Sequence, residues 1–283
     1  MAGDYKYPFG SVWVSHSSMG DFLKCPRLYY LNNVYKDPKT GRKISLTNPA
    51  LSLGTAVHET IEPLAFIPAA ERLQQDLETV FAAEWAKVTG KQGGFKSVEQ
   101  EAEAKARGLE MVRRVQTHPG PIAQPALRLA PGRDDLPSFM LDDQEQIVLC
   151  GKIDWLEYLP ATKGLHVIDF KTGKYDENEE SLQLPIYLLL LKALKPNWSV
   201  EKASYWYLDR DDEPKEKTLP DYDDARARVL EVARKVAVAR LKGEFNCPEG
   251  KEGCRYCRPL EAILRGEAEY LGKGKYGKDL YTL

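Results

Sequence analysis

Residues 165–174 read LHVIDFKTGK and place an aspartate and a lysine inside an otherwise apolar stretch. Apolar, partly β-branched residues of this kind are typical of a strand that neighbouring elements cover. On such a strand Asp169 and Lys171 point to the same face, because they lie two positions apart. Charges in a covered strand are costly unless they are paired or bound to something. An ion pair between the two side chains is the simplest compensation, and a bound ligand is the alternative.

The chain has 283 residues, 43% hydrophobic and 29% charged, which is the composition of an ordinary soluble protein. This length suits one large domain or two small ones. The apolar stretches are too short to span a membrane, and the N-terminal MAGDYKYPFG lacks the apolar run of a signal peptide. We therefore expect a cytoplasmic protein. The net charge of −2 argues against a wholly basic surface but permits a basic groove.

Periodicity and capping signals predict a mixed α/β domain, with helices first, a strand–helix–strand unit in the middle and a helical end. The predicted helices are residues 52–66, 69–88, 98–116, 183–194 and 222–242. The predicted strands are residues 138–141, 146–159, 165–171 and 200–208. The last forty residues are rich in cysteine, glycine and lysine and show little periodicity.

A second aspartate lies on the strand that precedes Asp169. Asp154 is joined to the next strand by the turn 160–164, so hairpin pairing can bring the two carboxylates within reach of one metal ion. Two carboxylates, the carbonyl of Phe170 and further ligands meet the demands of a hard divalent ion such as Mg²⁺. Lys171 would then orient or help deprotonate a metal-bound water, or neutralise a phosphoryl oxygen under attack.

Two further motifs flank this pair. GTAVHETIE places His58 and Glu62 on one helix face, and QLPIY places Gln183 and Tyr187 about one helical turn apart. In chain order, the series G-x-x-x-H-x-x-x-E, G-x-I-D, V-I-D-F-K-T-G and Q-x-x-x-Y closely resembles the RecB-like branch of the PD-(D/E)xK nucleases. The resemblance covers about residues 15–260.

The resemblance implies a restriction-endonuclease-like mixed β-sheet core flanked by helices, and a nuclease that depends on Mg²⁺ or Mn²⁺. The implied metal ligands are His58, Asp154, Asp169 and the Phe170 carbonyl. The other implied site residues are Lys171 as the catalytic lysine, Gln183 and Tyr187 as supports of the site or of the DNA strand, and Glu62, which either orients His58 or is a solvated charge. A metal ion and a DNA phosphate would then compensate the charges of Asp169 and Lys171.

The implied activity is a single-strand DNA exonuclease in recombination and repair or in CRISPR spacer acquisition. Its partners would be DNA with free ends and a recombination or CRISPR adaptation protein. Aromatic residues near the expected channel would stack on bases, namely Tyr29, Tyr30, Tyr187 and Trp206. The alternative is a DNA-end-binding or scaffold subunit that does not cleave, although the intact Asp154, Asp169 and Lys171 count against it.

The five cysteines suggest a second metal site. Cys254 and Cys257 form a C-x-x-C, with Cys247 seven residues before it and Cys25 far upstream. Four thiolates suit zinc or a [4Fe-4S] cluster almost equally. The resemblance favours iron–sulfur, because AddB-type and CRISPR-associated exonucleases hold such a cluster with an N-terminal cysteine in the sequence CPR, as at Cys25. The position of Cys247 departs from the usual spacing, and Cys150 is interpreted as a core thiol.

We interpret the chain as a single nuclease domain in four parts. These are an N-terminal region with Cys25, a helical insert, a catalytic core, and a cysteine-rich segment with a basic tail, at residues 1–51, 52–137, 138–243 and 244–283. Residues 272–277 of the tail spell G-x-G-x-x-G, but no predicted strand precedes them. A dinucleotide site is therefore not expected there, and a flexible basic tail that contacts DNA is the better interpretation.

Overall fold

The computed structural model describes residues 6–129 and 136–283. Within them, strands β1 to β10 are Val12–Val14, Ile44–Leu46, Ser138–Asp142, Ile147–Cys150, Trp155–Leu159, Gly164–Lys171, Val200–Tyr207, Lys215–Lys217, Glu269–Lys273 and Asp279–Thr282. Helices α1 to α9 are His16–Lys24, Pro26–Tyr29, Pro49–Ile61, Ala69–Arg72, Leu77–Trp85, Val98–Thr117, Gln183–Leu194, Tyr222–Lys242 and Arg258–Leu264. Of the four predicted parts of the chain, residues 1–5 and 130–135 lie outside this description. None of the helices in the described ranges is long and apolar enough to cross a membrane.

The mixed α/β architecture expected from the sequence is confirmed. The largest sheet has the order β5-β6-β7-β8, with β6 antiparallel to β5 and parallel to β7. Strand β6 is buried along all but its last residue. Leu165 and Val167 face one core, which α7 and α8 complete, whereas Ile168 and Phe170 face a second core formed with α3, α5 and α6. Helices therefore cover both faces of the strand that carries Asp169, which explains its nearly continuous apolar sequence.

Two predicted elements are interrupted in the structure. The strand predicted over 146–159 divides into β4 and β5, because the backbone leaves the extended ladder between Gly151 and Asp154. The helix predicted over 69–88 divides into α4 and α5, because the Asp76 side chain accepts hydrogen bonds from the backbone of Glu78 and Thr79 and starts a new helix. The predicted bounds of α7 and α8 match the structure.

The prediction that residues 272–277 form a flexible tail is wrong, because they lie within a paired hairpin. Strand β10 pairs antiparallel with β9 and parallel with β2, so the C-terminal residues form a sheet with the N-terminal part of the chain. The carboxylate of Asp279 is fully buried and accepts hydrogen bonds from Arg42 at 2.8 Å and from Thr40 at 2.5 Å. Short strands that pair over such a separation carry no local periodicity, which is why the sequence pattern did not reveal them.

Gly108 allows α6 to pack closely on α3 and α5, and this generates a prediction for stability. A Cβ at Gly108 would lie 2.6 Å from Phe81 Cζ and 2.8 Å from Leu53 Cδ1. We expect Gly108→Ala to lower the free energy of unfolding by about 1–3 kcal/mol, although alanine is the better helix former. Urea denaturation of the purified protein measures this change.

Gly20→Ala is the matched control, because Gly20 lies inside α1 and a Cβ there would meet nothing within 4 Å. We expect it to raise the free energy of unfolding by about 0.5–1 kcal/mol. Equal effects of the two substitutions would contradict the close packing at Gly108.

Candidate active site and cysteine metal centre

The buried carboxylate of Asp169 is the centre of a compact polar group. Only 2% of this residue is exposed, and its Oδ2 lies 2.9 Å from the ammonium nitrogen of Lys171. Its Oδ1 accepts hydrogen bonds from the Tyr187 hydroxyl at 2.7 Å and from the Gln183 amide nitrogen. The Gln183 carbonyl oxygen in turn accepts a hydrogen bond from Lys171. The ion pair between Asp169 and Lys171 is therefore present, and one amide group bridges its two partners.

The first turn of α7 supplies both neutral members of this group. Gln183 and Tyr187 lie four residues apart, and Gln183 Nε2 is 3.0 Å from the Tyr187 hydroxyl oxygen. The helix approaches the end of β4 closely, since a Cβ at Gly151 would lie 3.0 Å from Leu190 Cδ1. The glycine of the G-x-I-D motif therefore makes room for the helix that contacts Asp169.

Lys171 is held as an ammonium ion. Burial alone would lower its pKa, but the carboxylates of Asp169 and Glu177 outweigh burial and raise the pKa above its usual range. Glu177 Oε2 lies 2.9 Å from Lys171 Nζ, and the ring centroid of Tyr205 lies 4.9 Å away. In this environment Lys171 acts as a proton donor in hydrogen bonds and as a positive charge. This state favours its orienting and neutralising roles over that of a general base.

His58, Glu62 and Asp154 form a second polar group beside the first. One potential ligand atom from each of the three residues lies within 4.8 Å of the others. His58 Nδ1 is 2.8 Å from Glu62 Oε1 and 3.7 Å from Asp154 Oδ2. Glu62 also pairs with Lys152 at 2.5 Å, and its side chain is only 12% exposed. These contacts fit a residue that orients His58 and do not fit a solvated surface charge.

Helix α3 brings His58 to this position. A Cβ at Gly54, one turn before His58, would lie 3.2 Å from Thr172 Oγ1, just beyond the end of β6. A larger residue at Gly54 would therefore push α3 away from the end of the strand. The two residues of the G-x-x-x-H motif therefore act together. The small size of Gly54 lets α3 lie close to the end of β6, and this position of α3 brings the His58 ring to the site.

The backbone of Phe170 faces Asp154. Pairing between β5 and β6 starts at Trp155, so Asp154 lies just before the ladder and its Oδ2 accepts a hydrogen bond from the Phe170 N–H at 2.9 Å. The carbonyl of Lys171 points to the other edge, where it accepts from the N–H of Leu208. Because the N–H and C=O of one strand residue point to the same edge, the Phe170 carbonyl lies on the edge of Asp154.

The electrostatics of the second group suit a cation. Burial, and next the charge of Asp169, raise the pKa of Asp154 well above its usual value. Burial alone would lower the pKa of His58, but Asp154 and Glu62 outweigh it and raise the pKa to about 9. Negative charge is therefore concentrated in a poorly hydrated place. Carboxylate and carbonyl oxygens with one imidazole nitrogen are a donor set that fits Mg²⁺ or Mn²⁺.

Sequence reasoning missed Glu177 and His16. Glu177 pairs with Lys171, but it lies in the acidic run 176–180, where no spacing distinguishes one carboxylate from another. His16 Nε2 lies 3.4 Å from Ser181 Oγ, and its pKa is lowered, first by burial and then by the charge of Lys171. Its position depends on how α1 packs, which a local motif does not encode.

The prediction that four aromatic side chains stack on DNA bases is wrong for three of them. Tyr29, Tyr187 and Trp206 are buried, and Tyr187 uses its hydroxyl group to bind Asp169. Tyr30 is half-buried and its ring lies 5.1 Å from that of Phe245. The three buried rings stabilise the core through the large apolar area that they bury, and they are not accessible to a DNA base.

A family model described as the PD-(D/E)XK nuclease superfamily matches residues 13–260. The chain belongs to this superfamily. The matched segment contains both polar groups and the whole of the β5–β6 hairpin between them. PD-(D/E)XK nucleases use divalent metals, which agrees with the donor set around Asp154. No curated protein matches the sequence.

The PD-(D/E)XK segment also contains four cysteines that meet in the fold. The sulfur atoms of Cys25, Cys247, Cys254 and Cys257 lie within 4.8 Å of one another, and each residue is at most 5% exposed. Cys257 Sγ lies 3.8 Å from Cys247 Sγ and 3.8 Å from Cys254 Sγ, too far for a disulfide bond. Such a group can bind a metal. The unusual sequence position of Cys247 therefore does not remove its sulfur from the group.

The loop around Cys254 provides backbone donors for thiolates. Burial raises the pKa of Cys254, but hydrogen bonds from the backbone of Cys257 and Tyr256 outweigh it and lower the pKa to about 7. A Cβ at Gly253, where φ is +74°, would lie 3.0 Å from Cys257 Sγ. This residue therefore has to be glycine for the loop to close over the sulfur atoms.

The sequence CPR joins the two ends of the chain. Cys25 contributes its sulfur, Pro26 begins α2, and Arg27 forms a salt bridge with Glu261 at 2.8 Å. Arg27 also donates a hydrogen bond to the Lys251 carbonyl at 2.9 Å. All three residues of the motif thus help to seat the N-terminal segment on the cysteine-rich one.

The cysteine group generates a second prediction. If the four cysteines bind a metal, Cys25→Ser should lose it and lower the free energy of unfolding by several kcal/mol, because structural metal sites contribute on the order of 10 kcal/mol to folding. Elemental analysis and urea denaturation measure the two effects. Limited proteolysis should reveal new cleavage near both ends of the chain.

Cys150→Ser is the control, since Cys150 is buried elsewhere and its thiol contacts the Val14 carbonyl at 3.4 Å. It should keep the full metal content. An unchanged metal content in Cys25→Ser would contradict the four-cysteine site.

Proposed function

We propose that the protein is a metal-dependent DNA exonuclease of the RecB-like branch that acts on single-stranded ends. The observation that carries this proposal is the contact between Gln183 of α7 and both charged residues at the end of β6, Asp169 and Lys171. This contact gives the Q-x-x-x-Y motif a role in the same site as the V-I-D-F-K-T-G motif. The two motifs are the most specific part of the resemblance to the RecB-like branch.

The residues divide into those that hold the ion and those that act on the substrate. His58, Asp154, Asp169 and the Phe170 carbonyl would hold Mg²⁺ or Mn²⁺, which supplies an activated water and stabilises the negative charge that develops on the phosphate. Lys171, as an ammonium ion, donates a hydrogen bond to that water or to a phosphate oxygen. Gln183 and Tyr187 keep the Asp169 carboxylate in one orientation, and Glu62 does the same for the His58 ring.

We assign a [4Fe-4S] cluster to the four cysteines, with zinc as the alternative. The grouping of four buried sulfur atoms supports a metal, and the CPR context of Cys25 supports iron–sulfur. Protein purified without oxygen would then absorb broadly in the visible range and contain about four irons per chain. A colourless protein with one zinc would overturn the iron assignment and keep the structural role. Five free cysteines also fit a reducing, cytoplasmic setting.

The substrate is DNA with a free single-stranded end, and the cellular setting is recombination and repair or CRISPR spacer acquisition. A protein partner from one of these processes would deliver the end. The second candidate is a DNA-end-binding subunit that does not cleave. The complete set of Asp154, Asp169 and Lys171 favours the nuclease, because a purely structural role would not require a half-buried ammonium ion beside two carboxylates.

Removal of charge at the end of β6 tests the nuclease. We expect Asp169→Asn and Lys171→Ala each to reduce cleavage at least about a hundredfold, because each loses an interaction that stabilises the transition state. End-labelled single strands incubated with Mn²⁺ or Mg²⁺, and with EDTA as the blank, measure cleavage. Binding of the same strands in EDTA should change little.

Lys192→Ala is the control, since this exposed lysine lies on α7 about 13 Å along the helix axis from Gln183. It should cleave at the parental rate. A parental rate in either β6 variant would refute the assigned roles, and a parental protein that binds strands but never cleaves them would favour the second candidate.

His58→Ala separates a ligand from a catalytic residue. Loss of one ligand weakens metal binding, so we expect the Mn²⁺ concentration for half-maximal cleavage to rise at least about tenfold, with partial recovery at high metal. Lys171→Ala should not recover at any metal concentration. Metal titrations of both variants under identical conditions make the comparison, and identical curves would contradict the assignment of His58.

A further inference from the structure

The C-terminal hairpin consists of β9, β10 and the tip between them, residues 269–282. It begins after residue 260, where the match to the nuclease superfamily ends. The hairpin therefore lies outside the segment that the family model matches. The hairpin nevertheless presents several lysines and the exposed ring of Tyr276 beside the catalytic centre, and these features suggest a function of their own.

Contacts on two sides fix the hairpin. On one side β10 pairs with β2, and the buried Asp279 binds Arg42. On the other side Lys91 pairs with Glu269 at 2.7 Å, and Gln92 donates a hydrogen bond to the Leu271 carbonyl at 3.1 Å. The tip is thus held in a defined place instead of sampling many positions, which reduces the entropy that a ligand bound there would cost.

A groove of about 720 Å³ separates the hairpin tip from α3 and α5. Glu59 lies on the wall of this groove and also on the wall of the neighbouring cavity, which contains Glu62, Lys152 and Asp154. Lys275 of the tip forms a salt bridge with Glu59. The groove therefore opens beside the group of residues that would bind the divalent ion, and Glu59 with Lys275 lies between the two cavities.

The charge of the groove fits a polyanion. Lys273 and Lys278 line it, and among residues 6–129 and 136–283 no carboxylate forms an ion pair with either of them. The pKa of the adjacent Lys43 is lowered, first by burial and then by the charges of Lys278 and Arg240. Like charges held this close repel one another. Phosphate groups in the groove would relieve this repulsion.

Tyr276 provides a surface for a base. The residue is 79% exposed, which is unusual for an aromatic side chain on a fixed element. Its backbone is left-handed, with φ 57° and ψ 24°, a conformation that bulky residues rarely adopt. Strain of this kind costs about 1–3 kcal/mol and is often found where a ligand is bound. An exposed ring beside lysines is the combination that binds single-stranded nucleic acid.

We propose that the C-terminal hairpin guides single-stranded DNA into the active site, with Tyr276 stacked on a base and Lys273 and Lys278 bound to phosphates. The proposal rests on the nuclease function proposed above, which supplies the substrate. It adds a binding site that the catalytic residues do not form. Double-stranded DNA does not fit this role, because its bases are already stacked and offer no free face to the Tyr276 ring.

Binding measured without cleavage tests the guide. The probe is a fluorescent single-stranded oligonucleotide in EDTA, and its anisotropy is followed as protein is added. We expect Tyr276→Ala to weaken binding about 5- to 150-fold and Tyr276→Phe to bind nearly as the parent, because phenylalanine keeps the stacking face. Lys273→Ala combined with Lys278→Ala should flatten the slope of log K against log salt by about 1.4, or about 0.7 for each phosphate that the variant no longer binds.

Tyr222→Ala and Lys192→Ala are the matched controls, since both residues are exposed and lie on other elements, α8 and α7. Both should bind as the parent. Thermal unfolding should change little in all hairpin variants, because Lys273 and Tyr276 are exposed and Lys278 is only half-buried. Parental affinity in Tyr276→Ala together with an unchanged salt slope in the double lysine variant would overturn the proposal. Equal loss of single-stranded and duplex binding in Tyr276→Ala would overturn the stacking role.

The failure of the guide and the failure of the nuclease are distinguishable. If the parent cleaves DNA while the hairpin variants bind normally, the nuclease stands and the guide is wrong. If the parent does not cleave with Mn²⁺ or Mg²⁺ while Tyr276→Ala loses binding, the guide stands and the chain binds ends without cutting them. Each combination of results therefore decides both questions.

Discussion

The carboxylate of Asp169 lies in a strand that is covered on both faces, and the surrounding structure satisfies its charge. A buried charge without a partner costs about 3–5 kcal/mol. Lys171 supplies the opposite charge, and Gln183 and Tyr187 supply hydrogen bonds. The two hydrogen-bond donors come from α7, which has to approach β4 and β6 closely, and Gly151 is the residue that permits this approach. The hydrogen bonds to Asp169 therefore depend on the close packing of α7 against the sheet.

The site is assembled from both sides of the same strand. Asp169 and Lys171 point towards α7, whereas Ile168 and Phe170 point into the core that contains α3. His58 lies on α3, and the Phe170 backbone lies between the group around Asp169 and the group around Asp154. Successive side chains of a strand point to opposite faces of the sheet. The end of β6 can therefore contact residues from the helices on both faces. The group of His58, Glu62 and Asp154 and the lysine are thereby placed next to each other without belonging to one layer.

Much of the catalytic region could be predicted from the sequence because its elements are long and its motifs are local. The bounds of α7 and α8 follow from periodicity and caps, and the hairpin of β5 and β6 follows from two apolar runs around a short turn. Glu177 could not be selected from its acidic run, because its role depends on the fold of a loop. The C-terminal hairpin could not be predicted, because its strands are stabilised by pairing with Ile44–Leu46, more than two hundred residues earlier. Non-local pairing leaves no periodic signal in a short segment.

The two ends of the chain share a small core of their own, which contains the four cysteines together with Leu28, Leu31, Ile44, Leu260 and Ile263. A cluster of this size buries too little apolar surface to be stable by itself, so a bound metal would supply the missing free energy. Ile44 belongs to this core and also to β2, the strand on which β10 pairs. The cysteine centre therefore supports the sheet that carries the C-terminal hairpin. A metal bound to the four cysteines would in this way determine where the hairpin tip lies relative to Asp154 and Asp169.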